Sequence, residues 1–336
     1  MSFESKKIAS QIQIMNSSEL NKVLYRELCK KKDIPLFMQA WWMDAVCVGK
    51  EWDVLLYKKK EQITATLVFH HIRKFGIKLI MLPSCTQFNG IWIDYPEKLS
   101  TYKKLSLEKE TMTYFIEQLD AMKVDYYEQN FAPTITNWLP FYWKGFKQTT
   151  RYTYQIKDIS DPNVCFEQFS YAKRKQINKA IANKLHLTED ISPELFYLKT
   201  KDFLKKKGKD IEFSESFFLT LESAAKQHDS CKIIALEDDA SNLHAALFII
   251  WDKQKTYSFI SAINPDFNSS GASSLMFWEA IQYASTRTSI FDFEGSMDEG
   301  IENSFRQFGA EQVPYFYIFK SNSLKGKLFT ALRKWK

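Results

Sequence analysis

The sequence predicts an α/β protein in which one domain, a mixed and mostly antiparallel sheet flanked by helices, occurs twice in tandem. Three observations lead to this prediction. The chain of 336 residues is longer than one ordinary domain. The order of predicted strands and helices is the same in both halves, and both halves close on similar aromatic segments. Each half is therefore expected to fold as a domain of about 160 residues.

The first half contains three consecutive stretches in which apolar and polar residues alternate, as in half-buried strands joined by short charged turns. An amphipathic helix precedes them, and a helix and a short strand follow. The predicted elements are a helix over Pro35–Val48, strands over Trp52–Tyr57, Ile63–Ile72 and Ile77–Leu82, a helix over about Leu105–Ala121, and a strand over Val124–Asn130.

The second half repeats this order. Its predicted elements are a helix over Ser216–Gln227, strands over Lys232–Glu237, Leu243–Trp251 and Thr256–Ile263, a helix over about Ala272–Thr286, and a strand over Ser289–Glu294. The segment Phe141–Lys157 resembles Phe305–Lys320, so the period is about 160 residues, which indicates a duplicated domain and not a solenoid. We predict a first domain over 1–157, a second over 158–320 and a tail over 321–336.

Glycine and cysteine usage excludes several classes of protein. The 10 glycines include no Gly-x-Gly, so the dinucleotide fingerprint and the phosphate-binding P-loop are both absent. The five cysteines are odd in number, widely spaced and without a Cys-x-x-Cys pair, which argues against a disulfide framework and a metal site. The N-terminus has no apolar signal-peptide core, and the longest apolar run, about Ala245–Trp251, is far shorter than a membrane helix needs. A cytoplasmic location is expected.

The excess of positive charge lies at the C-terminus. The net charge is +6, and residues 320–336 hold six basic side chains and no acidic one. The rest of the chain is neutral, which argues against broad nucleic-acid binding, and against DNA in particular. The tail has the pattern of a basic amphipathic helix with one apolar stripe: Leu324, Leu328, Ala331 and Trp335. Two interpretations stay open, namely peripheral contact with an anionic membrane or a docked or frayed terminal helix.

Three segments of the second half carry a family resemblance: Ala172–Ala180, Asn264–Ala284 and Phe291–Glu311. They resemble the FemAB-like branch of the GNAT acyltransferase superfamily, whose Fem-type members are tandem GNAT domains. The element order agrees with that fold. The resemblance implies an N-acyltransferase that moves an acyl or aminoacyl group from acyl-CoA, or alternatively from aminoacyl-tRNA, to an amine acceptor. Acceptors in this branch include cell-wall precursors carried on sugars.

The resemblance places a donor-binding loop before the helix predicted at Ala272. In GNAT proteins the N–H groups of this loop and the following helix N-terminus bind the diphosphate of the CoA ester. The matching residues here are Asn268, Ser269, Ser270, Gly271, Ala272 and Ser273. Gly271 agrees with the family pattern, whereas Asn268 and Ser273 depart from it. An ordinary capped helix start is the alternative. The equivalent place in the first half has no glycine, so no donor is expected there.

Two acidic residues, Asp292 and Glu294, alternate with phenylalanines on a predicted strand. Period two places both carboxylates on one face, where burial and mutual repulsion raise their pKa values. One of them is a candidate general base for an acceptor amine. A purely structural role, with the carboxylates held by backbone or by Arg174, is the alternative.

The resemblance implies three further site residues. A basic residue in the helix around Lys173–Lys184 contacts the acceptor in Fem-like enzymes, and position matching points to Arg174. A Phe-Lys pair lies at the acyl-transfer site of the tRNA-dependent members, where the lysine stabilises developing charge. Phe305 and Arg306 match that pair, with arginine in place of lysine. This replacement makes tRNA the less favoured donor. A catalytically degenerate GNAT-fold ligand-binding protein is the alternative to an enzyme.

Overall fold

The computed structural model describes residues 17–47, 49, 51–188, 191–295 and 297–333. The first elements in chain order are α1 (Ser17–Lys31), α2 (Ala40–Val46), β1 (Glu51–Lys59), β2 (Gln62–Lys74), β3 (Ile77–Met81), β4 (Gly90–Ile93), α3 (Thr101–Ala121), β5 (Tyr126–Asn130), α4 (Leu139–Trp143) and β6 (Lys147–Ile156). Of the helix predicted over Pro35–Val48, residues Leu36–Met38 form a 3₁₀ turn and Ala40–Val46 form α2, while Val48 lies outside the described residues.

The remaining elements are α5 (Pro162–Gln168), α6 (Tyr171–Ala182), β7 (His186–Thr188), α7 (Pro193–Lys206), α8 (Glu215–Gln227), β8 (Cys231–Glu237), β9 (Leu243–Trp251), β10 (Lys255–Ile263), α9 (Ala272–Ser285), β11 (Ile290–Asp292), α10 (Glu299–Arg306), β12 (Glu311–Ser321) and α11 (Leu324–Arg333). The fold is therefore mixed α/β, as predicted. None of the described helices combines the length and the apolar character that a membrane span requires.

The chain divides into two compact units. The first comprises residues up to Thr150 together with those from Tyr315, and the second comprises Arg151–Pro314. In the first unit β1, β2 and β3 are antiparallel, β5 is parallel to β3, and β12 is antiparallel to β5. Strand β4 adds to β2. Helix α3 connects the antiparallel strands to β5, as a crossover to a parallel strand requires.

The second unit repeats this arrangement. Strands β7, β8, β9 and β10 are antiparallel, β11 is parallel to β10, and β6 is antiparallel to β11. Helix α9 is the equivalent crossover, and most of its side chains are buried because it packs on the sheet and on α6. Each unit has a core of its own, one centred on Phe115, Tyr127 and Phe141 and the other on Ile249, Phe277 and Phe293.

In each unit, the strand that pairs next to the short parallel strand comes from the other half of the sequence. Residues 155–156 of β6 pair with β11 in the second unit, and Tyr317–Ser321 of β12 pair with β5 in the first. These two strands are the similar segments that the sequence shows at the end of each half. The division consequently differs from the predicted limits at 157 and 320, because strand pairing assigns residues 151–157 to the second unit and residues 315–336 to the first.

The tail is a helix docked on the first unit. Arg333 donates to both carboxylate oxygens of the buried Glu128, at 2.7 and 2.6 Å, and the Phe329 ring packs on Tyr126. Leu324, Leu328 and Ala331 of the predicted stripe are exposed, whereas Trp335 lies outside the described residues. Leu332, 64% exposed, extends the stripe instead.

Candidate functional site

Asp292 stands at the end of β11, fully buried and hydrogen bonded on both carboxylate oxygens. The Thr153 hydroxyl and the main-chain N–H of Glu294 (2.8 Å) donate to Oδ1, and the Gln155 amide donates to Oδ2 (2.6 Å). Lys157 donates in turn to Gln155 Oε1 at 2.6 Å. Burial raises the pKa of Asp292, and the donated hydrogen bonds oppose that rise. A carboxylate held this way orients its neighbours and has little capacity left for a substrate proton.

Glu294 is in the opposite situation. Its side chain is partly buried, and it makes no hydrogen bond or ion pair with any other described residue. Burial raises the pKa of Glu294 well above its usual range, and the nearby charge of Asp292 raises it further. A carboxyl group with a raised pKa and unused oxygens is suited to accept a proton from a bound amine.

The two carboxylates are brought together by a turn and not by the strand that the sequence predicts. Strand β11 ends at Asp292, and Glu294 adopts a left-handed backbone with φ 62°. The prediction of a strand through Glu294 with both carboxylates on one face is therefore wrong about the strand. Gly295 follows at φ 73°, where a Cβ atom would lie 2.3 Å from the Tyr152 carbonyl oxygen, so only glycine fits. We call residues 292–295 the carboxylate turn. Strained backbone of this kind concentrates at functional sites.

Phe305 and Arg306 lie side by side at the end of α10 but in different surroundings. Phe305 is 8% exposed and stacks on Phe293 with 4.7 Å between ring centroids, so it supports the carboxylate turn from the core. The Arg306 side chain is 66% exposed and contacts Glu302 and Asn303 of its own helix, at 3.6 and 2.9 Å. These contacts give no support to the predicted role of Arg306 in stabilising developing charge.

The predicted donor loop leads into α9 and packs tightly on α6. Asn268 and Ser269 are exposed, and the Ser270 hydroxyl accepts a hydrogen bond from the N–H of Ala272 at 3.2 Å. Gly271 is the residue before the helix, with φ 84°, and a Cβ atom there would lie 2.2 Å from the Gln176 carbonyl oxygen. The glycine is therefore required for helix packing, whatever the loop binds. Ala272 and Ser274 in the first turn of α9 are buried and Ser273 is partly buried, and the positive end of the helix dipole there is suited to an anion.

Helix α6 contains a second functional candidate, Lys173, beside the predicted Arg174. Lys173 is 5% exposed, donates to the Ser304 hydroxyl at 3.1 Å, and lies 4.5 Å from the centroid of the Phe308 ring. Burial lowers the pKa of Lys173 to about 8. Its spacing to Ile177 and Ala180, i, i+4 and i+7, is the signal that places it on the buried face.

Arg174, the residue that position matching selects in α6, is partly exposed. It donates to the main-chain carbonyl of Glu167 at 2.7 Å and holds neither carboxylate of the turn. Its guanidinium has further N–H donors for a ligand. Among the described residues, no group of three or more His, Cys, Asp or Glu side chains is arranged to hold a metal ion.

The comparisons with known proteins agree with this fold. Residues 174–299 match the family described as "Acetyltransferase (GNAT) domain". The solved structure of FemX is similar over 90% of this chain and 96% of its own, with a TM-score of 0.66 and 10% identity. The C-terminal domain of a putative lysylphosphatidylglycerol synthetase from Agrobacterium fabrum covers 94% of this chain, which in turn covers 96% of that domain, with a TM-score of 0.56 and 10% identity.

A third similar structure is L-PGS from Bacillus licheniformis, which covers 87% of this chain and 95% of its own, with a TM-score of 0.53 and 9% identity. No curated protein matches the sequence. At these identities the structural similarities show the fold. The predicted resemblance to GNAT domains is confirmed over residues 174–299, and the chain has the fold of FemX.

Proposed function

We propose that this chain, which contains a GNAT domain match at residues 174–299 and has the fold of FemX, is an N-acyltransferase that reacts at the carboxylate turn of its second unit. The observation that carries the proposal is Glu294, whose carboxyl group is partly buried, has no partner among the described residues, and has a raised pKa. Asp292 is a positioning residue, since it accepts the N–H of Glu294 and fixes the turn.

The proposed reaction is direct attack of an amine on an acyl thioester. The new C–N bond forms as the C–S bond breaks, Glu294 accepts the proton that the amine loses, and the leaving thiolate takes up a proton. The acceptor is a small molecule or the amine of a peptidyl sugar such as a cell-wall or glycan precursor. Arg174 is assigned to contact an anionic part of this acceptor, and the first unit to acceptor recognition.

For the donor, we propose acetyl-CoA or another acyl-CoA, with its diphosphate at Asn268–Ser273. The positive end of the α9 dipole and the serine hydroxyls of the loop support this assignment. Aminoacyl-tRNA is the alternative donor. Binding of acetyl-CoA should raise the melting temperature, because a ligand at about 100 times its Kd stabilises the native state by about 2.7 kcal/mol.

The variant Ser273→Glu places a negative charge in the first turn of α9 and should abolish the acetyl-CoA shift while leaving the free protein stable. Ser216→Glu is the matched control, because Ser216 is the second residue of α8 just as Ser273 is of α9. This control should keep the full shift. Absence of any shift with a CoA ester in the unaltered protein would contradict the donor assignment and favour aminoacyl-tRNA.

A ligand-binding protein without turnover is a second candidate. One observation favours it: the loop has a single glycine, and that glycine is used for packing on Gln176. Such a protein would bind an amine ligand or a precursor at the carboxylate turn and release it unchanged, whatever CoA ester is supplied.

We also propose that α11 makes peripheral contact with an anionic membrane surface. Its outward face presents three leucines with 82, 61 and 64% of their surface exposed, Leu324, Leu328 and Leu332. Lys325 and Lys327 flank this stripe on either side, and Glu128 holds the opposite face through Arg333. An apolar stripe between basic residues is the pattern of helices that lie in the membrane interface.

Replacing Leu328 by glutamate should reduce co-sedimentation with vesicles of phosphatidylglycerol and phosphatidylcholine by several-fold, and Lys327→Glu should do the same through charge. Leu105→Glu is the control, since Leu105 is an exposed leucine on a helix of the same unit. Equal sedimentation of all variants, or binding to neutral vesicles alone, would contradict the membrane contact.

A further inference from the structure

The first unit contains a pocket of about 430 Å³, a volume typical of sites for small ligands. It lies between the first two turns of α3 and the segment that enters α4, with Phe316 of β12 as one wall. The carboxylate turn contributes nothing to it, and neither does the loop at Asn268–Ser273. The residues that line it include Thr101, Lys104, Glu108, Asn137, Trp138 and Leu139.

Glu108 is the buried polar group of this pocket, with 2% of its surface exposed. The Tyr95 hydroxyl donates to Oε1 at 2.8 Å and Asn137 donates to Oε2 at 2.9 Å, while Lys104 Nζ lies 3.8 Å from Oε1. A carboxylate has about four acceptor positions, so each oxygen keeps capacity for another donor. Asn137 and Lys104 likewise keep N–H groups. The charges of Lys104 and Glu108 compensate each other.

The apolar side of the pocket is partly aromatic. Trp138 is partly buried, its ring is fixed by an edge contact with Tyr142 at 5.5 Å, and its indole N–H has no partner among the described residues. Phe316 and Leu139 complete this side. The pocket thus joins a flat apolar surface to polar groups that both donate and accept.

We propose that this pocket binds one hexose ring of an uncharged carbohydrate. A pyranose has an apolar C–H face that packs on an indole, and hydroxyls around its edge that donate to a carboxylate and accept from an amide or ammonium. Glu108 would repel an anionic ligand, and Lys104 would repel a cationic one. A purely apolar ligand would supply no hydrogen-bond donor to the buried carboxylate of Glu108. This inference stands on the first unit alone and does not depend on acyl transfer.

The test uses the full chain without CoA ester, with maltotriose and N,N′-diacetylchitobiose as probes. Ligand-observed NMR and tryptophan fluorescence should both report saturable binding, with a Kd on the order of 1 mM. Trp138→Ala should raise the Kd about tenfold, whereas Trp138→Phe should keep most of the affinity because the ring face remains. Thr101→Trp, which fills the mouth of the pocket from the start of α3, should abolish binding.

Trp143→Ala is the matched control, because Trp143 is a 57% exposed tryptophan at the end of α4, the helix that Trp138 precedes, and it does not line the pocket. It should leave the Kd unchanged. The proposal is overturned if neither probe saturates, if Trp143→Ala weakens binding as much as Trp138→Ala, or if Thr101→Trp in folded protein still binds. Loss of acyl transfer in Glu294→Gln should leave carbohydrate binding intact, so failure of one proposal is distinguishable from failure of the other.

Discussion

Replacing Glu294 by glutamine is expected to lower kcat for acyl transfer by about 10²–10⁴-fold, the usual contribution of a general base. The amide keeps the size of the side chain but cannot take a proton from the acceptor amine. Folding should be unaffected or slightly improved, since the variant removes a partly buried carboxyl group next to Asp292. Steady-state rates with a saturating acyl donor measure the effect.

Glu279→Gln is the control for this substitution. Glu279 is a partly buried glutamate of the same unit whose pKa is also raised by burial, but it lies on α9 and has no proposed role. It should retain full activity. A Glu294→Gln enzyme that keeps more than about a tenth of the kcat would contradict the role of Glu294 as general base.

The same role fixes the direction of the pH dependence. Glu294 accepts a proton only when it is ionised, so kcat/KM should fall as the pH drops through its raised pKa. That fall should begin above the pH at which an ordinary glutamate, with a pKa of about 4.3, would titrate. This fall of kcat/KM at low pH should be absent in Glu294→Gln, because the residual activity of that variant does not depend on an ionised Glu294.

Replacing Gly271 by alanine is expected to destabilise the second unit by about 3 kcal/mol or more. Alanine at φ 84° costs about 1–3 kcal/mol in backbone strain, and its Cβ would lie 2.2 Å from the Gln176 carbonyl oxygen in the packed α6. Relief requires α9 and α6 to separate. The melting temperature should fall by roughly 6–12 °C for a unit of this size.

Gly208→Ala is the control that separates the cost of backbone strain from the cost of placing a Cβ atom against a neighbouring helix. Gly208 has φ 69° in the same unit, but nothing lies within 4 Å of a Cβ built there, so this variant should lose only the backbone part and be destabilised less than Gly271→Ala. Thermal or denaturant unfolding compares the two. An equal loss of stability in the two variants would contradict the close packing of α9 on α6 at Gly271.

The sequence was sufficient for the repeated element order, because period-two and period-3.6 patterns are local and appear twice. It could not show that β6 and β12 pair outside their own halves of the sequence, since strand pairing over such distances leaves no local pattern. Asp292 was predicted to be buried, and it is. The left-handed turn at Glu294 escaped prediction because a non-glycine residue in that conformation is held by tertiary contacts.

The basic helix around Lys173 is another place where the sequence did not predict the surroundings of a side chain. Position matching selects Arg174 from this helix, whereas the spacing of Lys173 to Ile177 and Ala180 indicates that Lys173 lies on the buried face. Phe305 and Arg306, matched to the family as one pair, separate in the structure into a core residue and a surface residue. In both cases the resemblance treats neighbouring side chains together, and their burial in the structure distinguishes them.

Acyl transfer at the carboxylate turn of the second unit is tested by the structure of the protein crystallised with acetyl-CoA. We expect the diphosphate at the N-terminus of α9 near Gly271 and the thioester carbonyl next to Glu294. Acetyl-CoA bound elsewhere, or at Gly271 with its thioester pointing away from Glu294, would contradict the account.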